Sequence, residues 1–66
     1  MAKKVKEVIA ILEAHGWHHV RTTGGHRIYQ HPVNPRSVVV AGKRSDPVPT
    51  GTLGRIRRTT GLKGLR

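Results

Sequence analysis

Between Lys3 and His15 the apolar residues Val5, Val8, Ile9 and Leu12 recur at i, i+3, i+4 and i+7, which is one stripe of an amphipathic helix. The stripe constrains everything after it, because a helix this short is not stable alone in water and must lay its apolar side on another element. Gly16 marks its stop, since glycine takes the left-handed conformation common just past a helix end. The remaining fifty or so positions must therefore supply the surface that covers Val5, Val8, Ile9 and Leu12.

They do so with strands. Trp17 to Thr23 is rich in aromatic and β-branched residues, and Gly24-Gly25 is a two-residue hairpin connection that predicts a returning strand over His26 to His31. Asn34-Pro35 signals a turn within Pro32 to Pro35, and Arg36 to Ala41 carries Val38-Val39-Val40, a run of high β propensity. Gly42 to Pro49 is polar and proline-bearing, so it reads as a loop. Thr50 or Thr52 is placed to cap a second helix, with Leu53, Ile56 and Thr60 on one face and Gly61 at its end. The tail Leu62 to Arg66 is too short to be a domain, and no repeat or low-complexity block interrupts the chain. The expected architecture is α+β, a small α-β-β-β-α sandwich over residues 1–66. Its three-stranded antiparallel sheet carries both helices on one face and resembles the double-stranded RNA-binding domain.

A chain of 66 residues buries only about 60% of its unfolded surface, so a deep substrate cavity is not expected. A long polymer can still be bound across such a surface. Thirteen Lys and Arg stand against three acids, Glu7, Glu13 and Asp46, for a net charge of +10. That excess attracts polyanions, and phosphate contacts dominate nucleic-acid affinity. No segment approaches the roughly 18 apolar residues of a spanning helix, and no secretory h-region is present, so the expectation is a cytoplasmic protein with no membrane partner. The absence of cysteine excludes disulfides and thiolate zinc sites. The three scattered acids form no magnesium-binding cluster in the sequence, which predicts chemistry without a metal or other cofactor.

Histidine is the side chain that takes and gives protons near neutrality, and RNA cleavage needs both moves: the 2′-hydroxyl loses a proton as it attacks phosphorus, and the 5′-oxygen gains one as it leaves. Of the five histidines, His15 falls at a helix C-terminus and reads as a cap. His18 and His19 are adjacent on a strand and point to opposite faces. His31 precedes Pro32 and reads as a turn or surface residue. His26 alone follows a glycine turn. Strand alternation puts His26, Ile28 and Gln30 on one face and Arg27, Tyr29 and His31 on the other. If Tyr29 is the core aromatic, His26 lies on the open face; if Ile28 points inward, His26 is drawn toward the helices. The first placement is preferred. From spacing alone, an exposed strand histidine is the ordinary outcome and a catalyst the exception.

The cations also sort by position. Lys3, Lys4 and Lys6 crowd the start of the first helix, and Arg55, Arg57 and Arg58 lie on the second, where a solvated face is the plain reading. The excess of cations over acids makes solvation alone less adequate, and Lys3, Lys4 and Arg55 are expected to bind RNA. Lys43 and Arg44, in the loop before the second helix, are placed to clamp a phosphate together with that helix's N-terminus. Gly24 and Gly25 carry no side chain to obstruct a phosphate backbone, and Arg27 follows His26 directly.

In order, Gly16-Trp17, Gly24-Gly25-His26-Arg27-Ile28-Tyr29-Gln30-His31-Pro32, Val38-Val39-Val40, Pro49-Thr50-Gly51-Thr52-Leu53, Ile56 and Gly61-Leu62 resemble the HicA toxins of toxin–antitoxin systems over nearly the whole chain. The resemblance implies a fold like the double-stranded RNA-binding domain and an mRNA interferase, an endoribonuclease whose catalytic histidine corresponds to His26. It also implies a HicB-like antitoxin that covers the site, with any oligomer formed through that antitoxin. One departure is evident: relatives often carry a further histidine after the third strand, where Ala41 to Asp46 has none. Lys43 or Arg44 replaces its charge but not its proton transfer at neutral pH. Two other readings remain: an RNA-binding module that reads A-form shape without cleaving, and a partner protein inert outside its complex.

Overall fold

The computed structural model describes residues 3–65. Met1, Ala2 and Arg66, the ends of the expected 1–66 unit and the last residue of its tail, lie outside the described residues. The elements are α1 (Val5–Ala14), β1 (His18–Thr23), β2 (His26–Gln30), β3 (Val38–Ala41) and α2 (Thr50–Thr60). The strands form one antiparallel sheet in the order β1-β2-β3, so the α+β class and the chain order expected from the sequence hold. Among the described residues no helix is long and apolar enough to cross a membrane.

The stripe of α1 is buried as its spacing requires, with Val5, Val8, Ile9 and Leu12 all in the core. What they cover follows from the register. Arg27 pairs with Val40 and Tyr29 with Val38, while His26 pairs with Ala41 and Ile28 with Val39. Val38, Val40 and Tyr29 are buried against the helices, whereas Val39 is 48% exposed and His26 and Ala41 are open to solvent. Trp17, Leu53 and Ile56 complete this layer, and two residues from segments that the sequence leaves outside the core, Val48 and Leu65, are buried in it as well. Each such side chain contributes about 1.5–3 kcal/mol by leaving water.

Strand β1 is different. All six of its residues are exposed, so it is held by hydrogen bonds to β2 and not by burial. Its register steps between His19, opposite Tyr29, and Arg21, opposite Ile28, a bulge that leaves Val20 unpaired and 47% exposed.

Besides one-residue differences in β1, which starts at His18 and not Trp17, and β2, which ends at Gln30 and not His31, three boundaries depart from the sequence reading. Helix α1 starts at Val5, not Lys3, because Lys3 and Lys4 are extended and run beside Pro47 and Val48: Lys4 bridges to Pro47, and the Val48 N–H donates to the Lys3 carbonyl at 2.7 Å. Strand β3 starts at Val38, not Arg36, because Asn34 Oδ1 accepts the Arg36 N–H and holds that segment in a turn. Neither Thr50 nor Thr52 caps α2. Pro49 is the N-cap residue, its carbonyl accepting the Leu53 N–H at 2.9 Å, and Thr50 is already helical. At the other end Gly61 (φ +73°) closes α2 with a left-handed turn, its N–H donating to Arg57.

Candidate active site

The β1–β2 turn is built on two residues with positive φ, Gly24 at +55° and Gly25 at +82°, the pair a tight hairpin of this hand demands. No heavy atom lies within 4 Å of where a Cβ would sit on either, so the glycines are required by backbone conformation and not by space. The turn delivers His26 to the first position of β2, flanked across the sheet by Thr23 on β1 and Ala41 on β3. Both neighbours are small. Tyr29 is the buried aromatic of the strand, so His26 falls on the open face, as the preferred placement requires.

His26 opens into a shallow groove of about 490 Å³ lined by Thr22, Gly24, Gly25, Arg27, Gly42, Lys43 and Asp46. Arg27 belongs to the helix side of the sheet and is half-buried. Its guanidinium wraps the sheet end and donates to the Gly42 carbonyl at 3.3 Å. The groove thus runs around the end of the sheet, with an imidazole on one side and cations on the other.

The loop that carries Lys43 and Arg44 is held from two directions. Asp46 accepts the Lys43 N–H on its carboxylate at 2.9 Å, and the Asp46 N–H donates to the Lys43 carbonyl, also at 2.9 Å. The loop carbonyls then receive the first N–H groups of α1: Val5 donates to Asp46 at 2.9 Å and Lys6 to Arg44 at 3.0 Å. Helix starts leave such donors without partners unless something outside the helix supplies acceptors. Here the loop supplies them, assisted by Glu7, whose carboxylate accepts the Lys4 N–H. The sequence suggests that Lys43 and Arg44 work with the N-terminus of α2, but the hydrogen bonds that fix their loop go to α1.

The other cations divide accordingly. Lys3 and Lys4 flank the start of α1, next to the loop. Arg55 does not join them: it lines a separate crevice of about 120 Å³ with Ser37, Val39 and Thr52. Lys43 and Arg27 are therefore the cations that share the His26 groove.

A second open groove, of about 510 Å³, lies at the opposite end of β2 between His15, Trp17, His31, Val33, Asn34, Pro35, Thr60 and Leu62. Of its two histidines, His31 is occupied. His31 Nδ1 accepts the Val33 N–H at 3.0 Å and Nε2 donates to the His15 carbonyl at 3.0 Å, which fixes a single tautomer, and the ring packs on Trp17 with centroids 5.3 Å apart. His19 is likewise engaged, bonded to Thr22 Oγ1 at 2.8 Å and tilted over Tyr29. No hydrogen bond among the described residues engages the rings of His15, His18 or His26, and of these three His26 is the one in the groove with Lys43 and Arg27. The sequence reading missed two roles, the bracing by His31 and the loop closure by Asp46. The Gly16-Trp17 and His31-Pro32 pairs contain the signal for the first, since Gly16 and Trp17 are the residues His31 packs against.

Tyr29 connects the groove to the core. Burial pushes its phenol above the ordinary tyrosine range and the Glu13 carboxylate adds to the rise, while Arg27 and Arg44 pull in the opposite direction.

Against curated proteins no match is found. Residues 5–62 match the family described as HicA toxin of bacterial toxin–antitoxin systems, a span that takes in both helices, the whole sheet and the Gly42–Asp46 loop. With His26, its glycine turn and the loop that faces it all inside that span, the chain belongs to the HicA toxin family.

Proposed function

We propose that this HicA toxin is an mRNA endoribonuclease in which His26 is the proton-transfer residue. The observation that carries the reading is the company His26 keeps: of the three histidines whose rings have no hydrogen-bond partner among the described residues, His15, His18 and His26, it is the one that lines the groove with Lys43 and Arg27, while His19 and His31 are committed to structure.

A phosphodiester laid along the groove meets His26 from the open face of the sheet. The ring takes the 2′-hydroxyl proton as that oxygen attacks phosphorus, and the P–O5′ bond breaks. The departing 5′-oxygen is protonated from the solvent that the exposed face admits, leaving a 2′,3′-cyclic phosphate and a 5′-hydroxyl. Lys43 and Arg27 offset the charge that develops on the phosphoryl oxygens, and Arg44, Lys3 and Lys4 extend the basic surface along the RNA backbone. Gly24 and Gly25 keep the floor of the approach clear. These side chains supply all of this without a cofactor. A HicB-like antitoxin neutralises the toxin by covering this groove, with assembly running through that partner, and the protein acts in the cytoplasm.

The test is to incubate wild type and His26→Ala with a defined mRNA in EDTA and map the 5′ ends. Cleavage by wild type alone establishes the reading. If both proteins bind the RNA and neither cuts it, the chain is an RNA-binding module and His26 a contact residue.

A further inference from the structure

Asp46 is out of place electrostatically. It is one of three acids in a chain of net charge +10, and it lines the same groove as Lys43 and Arg27, where a phosphate would lie. In water a unit negative charge about 6 Å from a phosphate weakens binding roughly threefold. If the groove only gathered cations, it would be better without this residue.

The geometry points to Asp46 as the positioning residue of the phosphate-binding loop, an inference that rests on the nuclease reading above. Four contacts carry it. The Asp46 carboxylate holds the Lys43 N–H, and the Asp46 N–H returns to the Lys43 carbonyl, so the turn is closed reciprocally. The carboxylate also fills the space beside Gly42, where φ is +97° and a Cβ would stand 3.1 Å from Oδ2. Glycine at 42 is thus demanded twice, by conformation and by the packing of Asp46. Finally, the Asp46 carbonyl accepts the Val5 N–H and ties the closed turn to the core helix. A loop of Gly, Lys, Arg and Ser has no apolar anchor of its own, and these bonds are what fix where Lys43 points. The repulsion the carboxylate exerts on RNA is offset by the ordering of the lysine that binds it.

The two effects predict opposite signs, which makes the idea testable. Binding is read with an mRNA fragment methylated at every 2′-oxygen so that it cannot be cut, cleavage with the unmodified fragment, and loop order by hydrogen exchange at the Lys43 amide. Thermal melts check that each variant is folded. Asp46→Ala is expected to bind the methylated RNA roughly tenfold more weakly despite the gain of one positive charge, to lose cleavage mainly through KM, and to lose protection at Lys43. Asp46→Asn, whose amide oxygen still accepts the Lys43 N–H, is expected to keep that protection and to bind as well as wild type or up to about threefold more tightly. In a Lys43→Ala background the Asp46→Ala loss should shrink, because the residue acts through that lysine.

Tighter binding by Asp46→Ala with Lys43 still protected would overturn the inference in favour of simple charge repulsion. Asp46→Asn that binds normally but fails in kcat would overturn it too, since the carboxylate would then be carrying a proton. Should wild type leave both RNAs untouched, the nuclease reading and the phosphate role of the loop fall together, while exchange at Lys43 still decides whether Asp46 closes the turn.

Discussion

Strand β2 begins and ends near a histidine, and the two ends of the strand treat that residue in opposite ways. His31, just past one end, donates one hydrogen bond, accepts another and packs on Trp17. His26, at the other end, is flanked by Thr23 and Ala41 and opens toward Lys43. The grooves beside them are almost equal in size, about 510 and 490 Å³. Size therefore does not distinguish the two ends. Charge does: the His26 groove is lined by Lys43 and Arg27, whereas the other has no lysine or arginine in its lining and its His31 ring has both nitrogens engaged.

Exchanging each histidine for alanine should separate the two ends most sharply. His26→Ala is expected to reduce RNA cleavage by about 10²–10⁴-fold with an unchanged melting temperature, because no hydrogen bond among the described residues is lost. His31→Ala is expected to destabilise the fold by about 2 kcal/mol, from two hydrogen bonds and an aromatic contact, while His26 chemistry at saturating RNA persists. Urea titrations beside the cleavage assay would check both, and a stability loss confined to His26→Ala would reverse the assignment.

The glycines sharpen the comparison further. Gly16 and Gly24 both have positive φ, at +90° and +55°, so alanine is strained at either by about 1 kcal/mol. At Gly16 a Cβ would also stand 2.9 Å from His31 Nε2, whereas at Gly24 it would meet nothing within 4 Å. Gly16→Ala should therefore cost more stability than Gly24→Ala, by about a further 1 kcal/mol. Equal losses in denaturant melts would mean that His31 moves aside freely and does not brace that end.

The smallest effect belongs to Tyr29, between the two ends. Burial raises its phenol above the ordinary value of 10.0, so the fold favours the protonated form. The associated stability is fully present below pH 10 and is lost as pH rises through the folded value. Absorbance at 295 nm should show a tyrosine midpoint above 10 in the native protein, falling to the ordinary value in urea.

Much of this was legible in the sequence, and the pattern of what was not is instructive. The α1 stripe and the Gly24-Gly25 turn follow from local periodicity and conformation, and His26 could be singled out as the histidine after that turn. Alternation left Tyr29 and Ile28 as rival core residues, and the register with Val38 and Val40 decides for Tyr29. Val48 and Leu65 could not be placed in the core, since each is a lone apolar residue in a segment without a period. The start of α1 was misjudged because its first N–H groups are satisfied by carbonyls of residues 44 and 46, acceptors that no window around Val5 contains. Asp46 was read as a scattered acid for the same reason. Its meaning lies in what the loop returns to, and that is a property of the folded chain.

That return has a consequence for when the groove beside His26 can form. The bonds from Val5 to Asp46 and from Lys6 to Arg44 join opposite parts of the chain, so the basic groove does not form as α1 forms. A chain growing from its N-terminus presents the first helix, then the histidine turn, and only afterwards the loop that completes the phosphate side. Loop closure over that separation comes late among folding events. A partial chain on its own ribosome thus carries His26 without its groove, and the order of synthesis delays the assembly of that groove until most of the domain exists.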